Sequence, residues 1–344
     1  MLNAAPYDVL FEDRSQDHAT PLPTPNDING SEVLLHESNG SRVVRVQQTF
    51  VLKFGYNVHP IEAYNMLYVA RSTTVPVPKV YAIYQRREKQ LMFTYIGMQY
   101  VPGETLVDLW GSLDDVRKTA IAKTLRTHFD QLRQLQHPGY FGNIDGGPPL
   151  DDMFSMTSVG LEVVKTSFTT EEELISCILR IYLDMGGERT IYKARYYQHV
   201  LPTALRGDGS PVFTHNDFQR KNVMVQPDGT LVIIDWEFAS WYPAYWEYST
   251  ATWANGGWND DWHDYLRVIL DEYPTQALWL NTMKLEMCSN LFLVFREGLD
   301  ALGNPNTDLT LWESGAIYQY LVETYDGGAH HVSHGGLKER QLCN

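Results

Sequence analysis

The stretch from Pro211 to Ala239 reads PVFTHNDFQRKNVMVQPDGTLVIIDWEFA. It holds three short apolar runs, the first two separated by a polar loop and the last two by a tight turn. Asp228-Gly229 is a residue pair that closes two-residue hairpins, because both positions tolerate positive φ. The stretch is therefore expected to fold as strand, loop, strand, turn, strand. The last run, Leu231 to Ile234, has no polar residue at alternate positions. A strand of that kind is buried on both faces, which would hold Asp235 at its end rigidly.

The loop contains His215, Asp217 and Asn222, and Asp235 follows thirteen residues after Asn222. Phosphoryl transfer accounts for this spacing. A transferring phosphate needs a divalent cation on its oxygens, and such a cation takes hard oxygen ligands, here Asn222 and Asp235. An acceptor hydroxyl needs a carboxylate to orient it and take its proton, here Asp217. His215 is expected to tie down loop backbone rather than react. An Asp-x4-Asn alone is common loop chemistry; the ordered set between apolar strands is what carries the expectation.

Towards the amino terminus, SEVLLHE, SRVVRVQ and TFVLKFG read as strands, with Asn39-Gly40 at a turn. A helix is expected after them: Pro60 suits its first turn, and Ile61, Tyr64, Leu67 and Tyr68 recur at helical spacing. VPVPKVYAIYQ and LMFTYIGMQYV read as two more strands, the second stopped by Pro102-Gly103. Lys53 lies inside an apolar strand, where an unpaired ammonium is costly to bury. Glu62, nine residues on, can pair with it and aim it at nucleotide phosphates; the alternative is an edge-strand lysine reaching water. The hairpin from Glu37 to Arg42 has one glycine, and Ser41 with its neighbouring amides is either a phosphate contact or an ordinary turn. Around Gln99 and Val101 an extended backbone would offer a carbonyl and an amide to adenine.

Towards the carboxyl terminus the chain reads as mainly helical. Ser112 is the expected N-cap for a helix over 113–135 with the stripe Ile121, Leu125, Phe129 and Leu132. Helices are also expected over 171–182 and 188–200, and again after Trp236. Six of nine tryptophans fall between Trp236 and Trp262, interleaved with Glu247, Asp260, Asp261 and Asp264. They fit either core packing or a site for a cationic substrate, in which Glu247 and Asp260 would be contacts. The expected fold is α+β and bilobal: a small antiparallel-sheet lobe with one main helix and a larger, mostly helical lobe. The boundaries are an arm over 1–30, a nucleotide lobe over 31–101, a catalytic and substrate lobe over 102–325 and a tail over 326–344.

The formal net charge of −15 disfavours a nucleic-acid phosphate backbone or an anionic membrane as partner and favours a cationic one. Three dispersed cysteines, Cys177, Cys288 and Cys343, suggest neither a disulfide framework nor a zinc site and fit a reducing, cytoplasmic setting. The start of the chain lacks a secretory pattern, and no apolar run is long enough to cross a bilayer.

VLKFG, EAYNMLYV, VPVPKVYA, MQYVPGETL, HPGYFGN, FTHNDFQRKN and IIDWEFASWYPAYWEY together resemble the aminoglycoside phosphotransferase family, most of all its branch abundant in filamentous fungi. The resemblance covers about residues 31–300. It implies a protein-kinase-like fold, ATP with Mg2+, and phosphorylation of a hydroxyl on a small molecule such as an amino sugar, amino alcohol or secondary metabolite. The alternative on the same fold is a weak or inactive nucleotide-binding protein. A protein acceptor is disfavoured because no APE-like motif follows Asp235. Two departures stand out. Asn216 occupies a position usually held by glycine, where a positive φ is expected. The triplet after the last strand is Asp235-Trp236-Glu237, and Glu237 would add a metal or substrate contact or face solvent.

Overall fold

A computed structural model describes residues 7–14, 21–26, 28, 33–38, 40–154, 164–254 and 260–301, with backbone alone for 289–301. The tail over 326–344, Cys343 and Trp258 lie outside the described residues.

The amino-terminal part is a six-stranded antiparallel sheet in the order β1-β5-β6-β4-β3-β2. Its strands are β1 (Asp8–Glu12), β2 (Val33–Ser38), β3 (Ser41–Val46), β4 (Phe50–Gly55), β5 (Val80–Glu88) and β6 (Leu91–Gln99). The expected strands all form, and one more appears. The arm supplies β1, which pairs with β5 through Asp8–Gln85 and Glu12–Ala82. Its sequence, Asp8-Val-Leu-Phe-Glu12, is only five residues long and shows no apolar–polar alternation, so it carries little strand signal without the edge it docks against. β4 is bonded on both sides, to β3 and β6. Lys53 is thus in an interior strand, which removes the edge-strand alternative.

Helix α1 (Pro60–Ser72) crosses the sheet between β4 and β5. His59 caps it, its Nδ1 accepting from the Ile61 N–H at 3.3 Å, and Pro60 fills the first turn, where no N–H is needed. Ile61, Ala63, Met66 and Val69 bury one face, and Glu62 and Asn65 are buried with them.

Gly103 carries the chain out of the sheet. At φ +130° its missing Cβ would lie 2.1 Å from the Val225 carbonyl oxygen, so only glycine passes there. The chain then continues as β7 (Glu104–Thr105), α2 (Leu106–Trp110) and α3 (Asp115–Arg133). The α3 cap is Asp114 and not Ser112: Asp114 Oδ1 accepts from the Arg117 N–H at 2.8 Å, while Ser112 Oγ donates back to Leu109 O. Ser112 belongs to the end of α2. The stripe Leu125, Phe129 and Leu132 is buried as expected.

The 3-10 turn Asp152–Phe154 comes next, followed by α4 (Glu171–Gly186), α5 (Ile191–Ala204), β8 (Pro211–Thr214), β9 (Val223–Val225) and β10 (Leu231–Ile233). β11 (Ser240–Pro243), α6 (Trp246–Ala254), α7 (Trp262–Ile269) and α8 (Pro274–Ala301) complete the described chain. The strand–loop–strand–turn–strand unit is present. The segment after Trp236 first forms β11, antiparallel to β8, before it turns helical. β9 pairs with both β10 and β7, so the strand that leaves the amino-terminal sheet and the hairpin share one small sheet. Among the described residues no helix is long and apolar enough to cross a membrane.

Trp236, Trp241, Trp246 and Trp262 are 0–3 % exposed and packed on Phe213, Tyr242 and Trp110. These four tryptophans are core, and Trp253 is half-buried.

Candidate active site

The loop between β8 and β9 is fixed from below. Glu247, in the first turn of α6, accepts from the His215 N–H at 2.6 Å and the Asn216 N–H at 3.1 Å. His215 Nδ1 faces the Asp217 N–H at 3.3 Å, and its Nε2 lies 3.0 Å from the Ile234 carbonyl oxygen. Those two partners require Nδ1 to accept and Nε2 to donate, the neutral tautomer. Complete burial lowers the proton affinity of His215, in keeping with this. As expected, His215 is a tie between the loop and the strand that precedes Asp235.

Asn216 adopts φ +68°, the left-handed region that the sequence departure implied. Its Nδ2 donates to Tyr242 Oη at 3.3 Å and its Oδ1 accepts from Trp246 Nε1 at 3.0 Å. Asp235 adopts φ +65°, a second left-handed position that the sequence did not announce. Asn65 on α1 holds it in place by donating to the carbonyls of Trp236 at 2.9 Å and Ala239 at 3.0 Å.

Asp217 and Asn222 meet as their spacing suggested. Asn222 Nδ2 donates to Asp217 Oδ2 at 2.7 Å and to the Asp217 carbonyl at 2.9 Å. Gln219 Nε2 donates to the other carboxylate oxygen of Asp217. Burial pushes the Asp217 carboxyl above its usual range, against the pull of Lys221 and these amides.

Opposite stands Lys53. Its ammonium lies 2.8 Å from Glu62 Oε2, 2.8 Å from Asp235 Oδ1 and 3.1 Å from Glu237 Oε2. Burial alone would lower the lysine's proton affinity; the three carboxylates outweigh it and hold the side chain charged. Burial raises Glu62, and the adjacent Asp235 and Glu237 add to the rise. Asp235 is the exception: burial acts upward, but the ammonium and its hydrogen bond keep it below the ordinary range. Burial and Asp235 raise Glu237.

Three carboxylates around one ammonium leave a surplus of two negative charges, the complement of one divalent cation. Glu62, Asp235 and Glu237 each place an oxygen within 4.8 Å of the others. Asn222 adjoins Asp235 through the Ile234 N–H, which donates to the Asn222 carbonyl at 2.9 Å. With its Nδ2 spent on Asp217, the Asn222 side-chain oxygen is the atom left for a ligand. The donor set is all oxygen and fits a hard cation of the Mg2+ type.

Part of this group borders a cavity of about 700 Å³ between sheet and helical part, and Asp217 is not among the residues that line it. Lys53, Glu62, Asn222 and Asp235 line it, as do Ser41, Gln99 and Val101. At the end of β6 the Tyr100 N–H is spent on Thr49 O at 2.8 Å and the Gln99 N–H on Lys79 O at 2.8 Å.

Two expected contacts fall elsewhere. Glu247 is 2 % exposed with both oxygens on loop amides, so it supports the loop and does not line the cavity. Asp260 pairs with Arg220 Nη1 at 2.7 Å, and the guanidinium packs over Trp110 and Trp262. Both carboxylates are spent on holding the loop, which is why neither lines the cavity.

Sequence reasoning passed over Asn65, Gln219, Lys221 and Asp152. Gln219 and Lys221 lie inside the quoted loop and were visible there. Asp152 had no local signal. It stands in the 3-10 turn, where burial, then Asp151, raises its carboxyl to about 6, with Glu237 and Asp217 adding to the effect.

Residues 169–277 match a family model described as the phosphotransferase enzyme family. Two curated fungal proteins match short stretches. The glutathione S-transferase-like protein gedE of Aspergillus terreus is 40 % identical over 83 residues, 24 % of this chain and 35 % of that protein. The glutathione S-transferase-like protein tpcF of Aspergillus fumigatus is 68 % identical over 28 residues, 8 % of this chain and 12 % of that protein. The chain thus spans about a third and about an eighth of these relatives' lengths. Among solved structures, the GDP and kanamycin complex of APH(2")-IIia is 18 % identical, with TM-score 0.46 over 87 % of this chain and 94 % of that one. The gentamicin complex of APH(2")-IIa is 12 % identical, with TM-score 0.48 over 79 % and 84 %. An apo thermostable mutant of APH(4)-Ia is 18 % identical, with TM-score 0.42 over 76 % and 84 %.

Proposed function

We propose, from the premise that residues 169–277 carry the pattern of the phosphotransferase enzyme family, that this chain transfers the γ-phosphate of ATP to a hydroxyl of a small molecule. The observation that carries the reading is the Lys53 ammonium, held 2.8 Å from both Glu62 and Asp235 at the wall of the cavity. In this reading residues 31–101 receive the nucleotide and 102–325 supply the chemistry. The Gln99 carbonyl and the Val101 amide meet adenine, Ser41 covers the phosphates, and Lys53 contacts them. Asn222 and Asp235 hold Mg2+, which when bound neutralises phosphate oxygens. Asp217 orients the acceptor hydroxyl and takes its proton. A cationic acceptor, such as an amino sugar or amino alcohol, is supported by the acidic groups Asp152, Asp217 and Glu237 and by the net charge of −15.

The test is ATP turnover with Mg2+ against a panel of amino sugars, amino alcohols and hydroxylated metabolites. Asp217→Ala is expected to cut kcat by about 10²-fold or more while nucleotide affinity persists. An unchanged rate sinks the assignment.

A second reading is a nucleotide-binding protein with little or no transfer. It is favoured by one observation: both carboxylate oxygens of Asp217 already accept from amides, those of Gln219 and Asn222. Mg2+-dependent ATP binding without transfer to any acceptor is its signature.

A further inference from the structure

Lys221 sits on the 3-10 turn Arg220–Asn222, four residues after Asp217 and one before Asn222. Its neighbours on the turn point inward. Arg220 is 9 % exposed and paired with Asp260; Asn222 is 4 % exposed and bonded to Asp217. Lys221 is exposed and lines the cavity beside Asn222 and Asp235.

The other cations nearby are neutralised. Lys53 is held by three carboxylates, Lys284 by Asp151 at 2.7 Å, and Arg220 by Asp260. Among the described residues, Lys221 has no ion pair and no hydrogen bond. Among the described residues, Lys53 and Lys221 are the two ammonium groups on the cavity wall, and they belong to opposite lobes. Lys53 is fixed at the back. On the loop side a polyanion would otherwise meet the carboxylates of Asp235 and Glu237, which line the cavity. An anionic group placed between those carboxylates is repelled unless a cation faces it.

We infer that Lys221 binds the terminal phosphate of a nucleoside triphosphate, as the loop-side counterpart of Lys53. The inference rests on the reading of the cavity as a nucleotide site and deepens it. Lys53 is committed to its carboxylates and serves the inner phosphates. Lys221 has a flexible stem and no ion pair or hydrogen bond among the described residues, only a longer-range pull on Asp217 and Asp235, so it can follow the outermost one.

Calorimetric titration of the full chain with Mg2+ and either ADP or a non-hydrolysable triphosphate analogue separates the possibilities. Lys221→Met is expected to weaken the triphosphate analogue by about tenfold, the scale of one charge-assisted hydrogen bond, with ADP affinity unchanged. Lys221→Arg restores most of the loss. Unchanged affinity for both nucleotides, or an equal loss for both, overturns the inference and leaves the nucleotide site standing. Failure of the unmodified chain to bind either nucleotide overturns the site and the inference together. Matching thermal midpoints for the variants exclude an unfolding artefact.

Discussion

The Lys53 ammonium and the Asp235 carboxylate meet at 2.8 Å although 182 residues separate them in the chain. Lys53 comes from an interior strand of the sheet lobe, and Asp235 from the end of the hairpin strand in the helical lobe. Glu62 and Glu237 complete the group around the same ammonium. Desolvating such charges costs more than their mutual attraction returns unless the geometry is good. The surplus negative charge is the part that a divalent cation would neutralise.

Replacing Lys53 with Met leaves three crowded carboxylates without their cation. The expected loss is about 3 kcal/mol of unfolding free energy, the scale found when one partner of a buried pair is removed. Urea denaturation measures it. Adding Glu62→Gln to Lys53→Met should return part of the loss, because the second change removes a buried charge that has become unpaired. Additive losses would show that the pair is not coupled.

Asn216 offers a contrast between two small substitutions. Asn216→Gly and Asn216→Ala both lose the bonds to Tyr242 and Trp246, but only alanine is strained at φ +68°. The alanine variant should be less stable than the glycine variant by about 1 kcal/mol. Equal unfolding free energies would mean that the backbone there is free to leave the left-handed region.

Glu247 is expected to act on catalysis through the loop. Glu247→Ala leaves two buried amides without acceptors, at about 1–3 kcal/mol each. Glu247→Gln keeps one acceptor and should lose about half as much. In a turnover assay kcat should fall in the same order, with nucleotide affinity nearly constant. A rise in acceptor KM alone, with kcat and stability intact, would instead mark Glu247 as a substrate contact.

Asp152 yields a pH dependence of stability. Its folded-state value is about 6 against 3.8 for the unfolded chain. The folded protein therefore binds this proton more tightly, and the stability that comes with protonation is lost as pH rises through about 6. Asp152→Asn removes the charge, so the variant should melt above the parent by the most at about pH 7.5, by less at about pH 5, and converge with it only as pH falls below 3.8, in metal-free buffer. A difference of the same size at both values would trace the effect to packing.

Much of the local structure could be read before folding. The spacing within 211–239 set the strands and the short loop, and a loop of five steps leaves Asp217 and Asn222 little choice but to meet. The left-handed backbone at Asn216 was legible from the resemblance, in which glycine usually holds that position. Pro60 marked the start of its helix. The signals in each case are short-range: side-chain periodicity, cap chemistry and permitted φ.

Where distant segments dock is a different matter. That Asn65 would hold the 236–239 backbone, that the arm would add β1 to the sheet edge, and that Asp114 would cap α3 in place of Ser112 depended on how the elements packed. Glu247 shows the reason most clearly. A glutamate in the first turn of a helix reads alike whether it faces a substrate or a loop, and only the seating of α6 beneath His215 and Asn216 decided between them. Sequence by itself determined which groups the chain carries and how near neighbours are spaced. Tertiary packing decided which way each carboxylate faces, because direction is fixed by contacts made across a hundred or more intervening residues, as between Lys53 and Asp235.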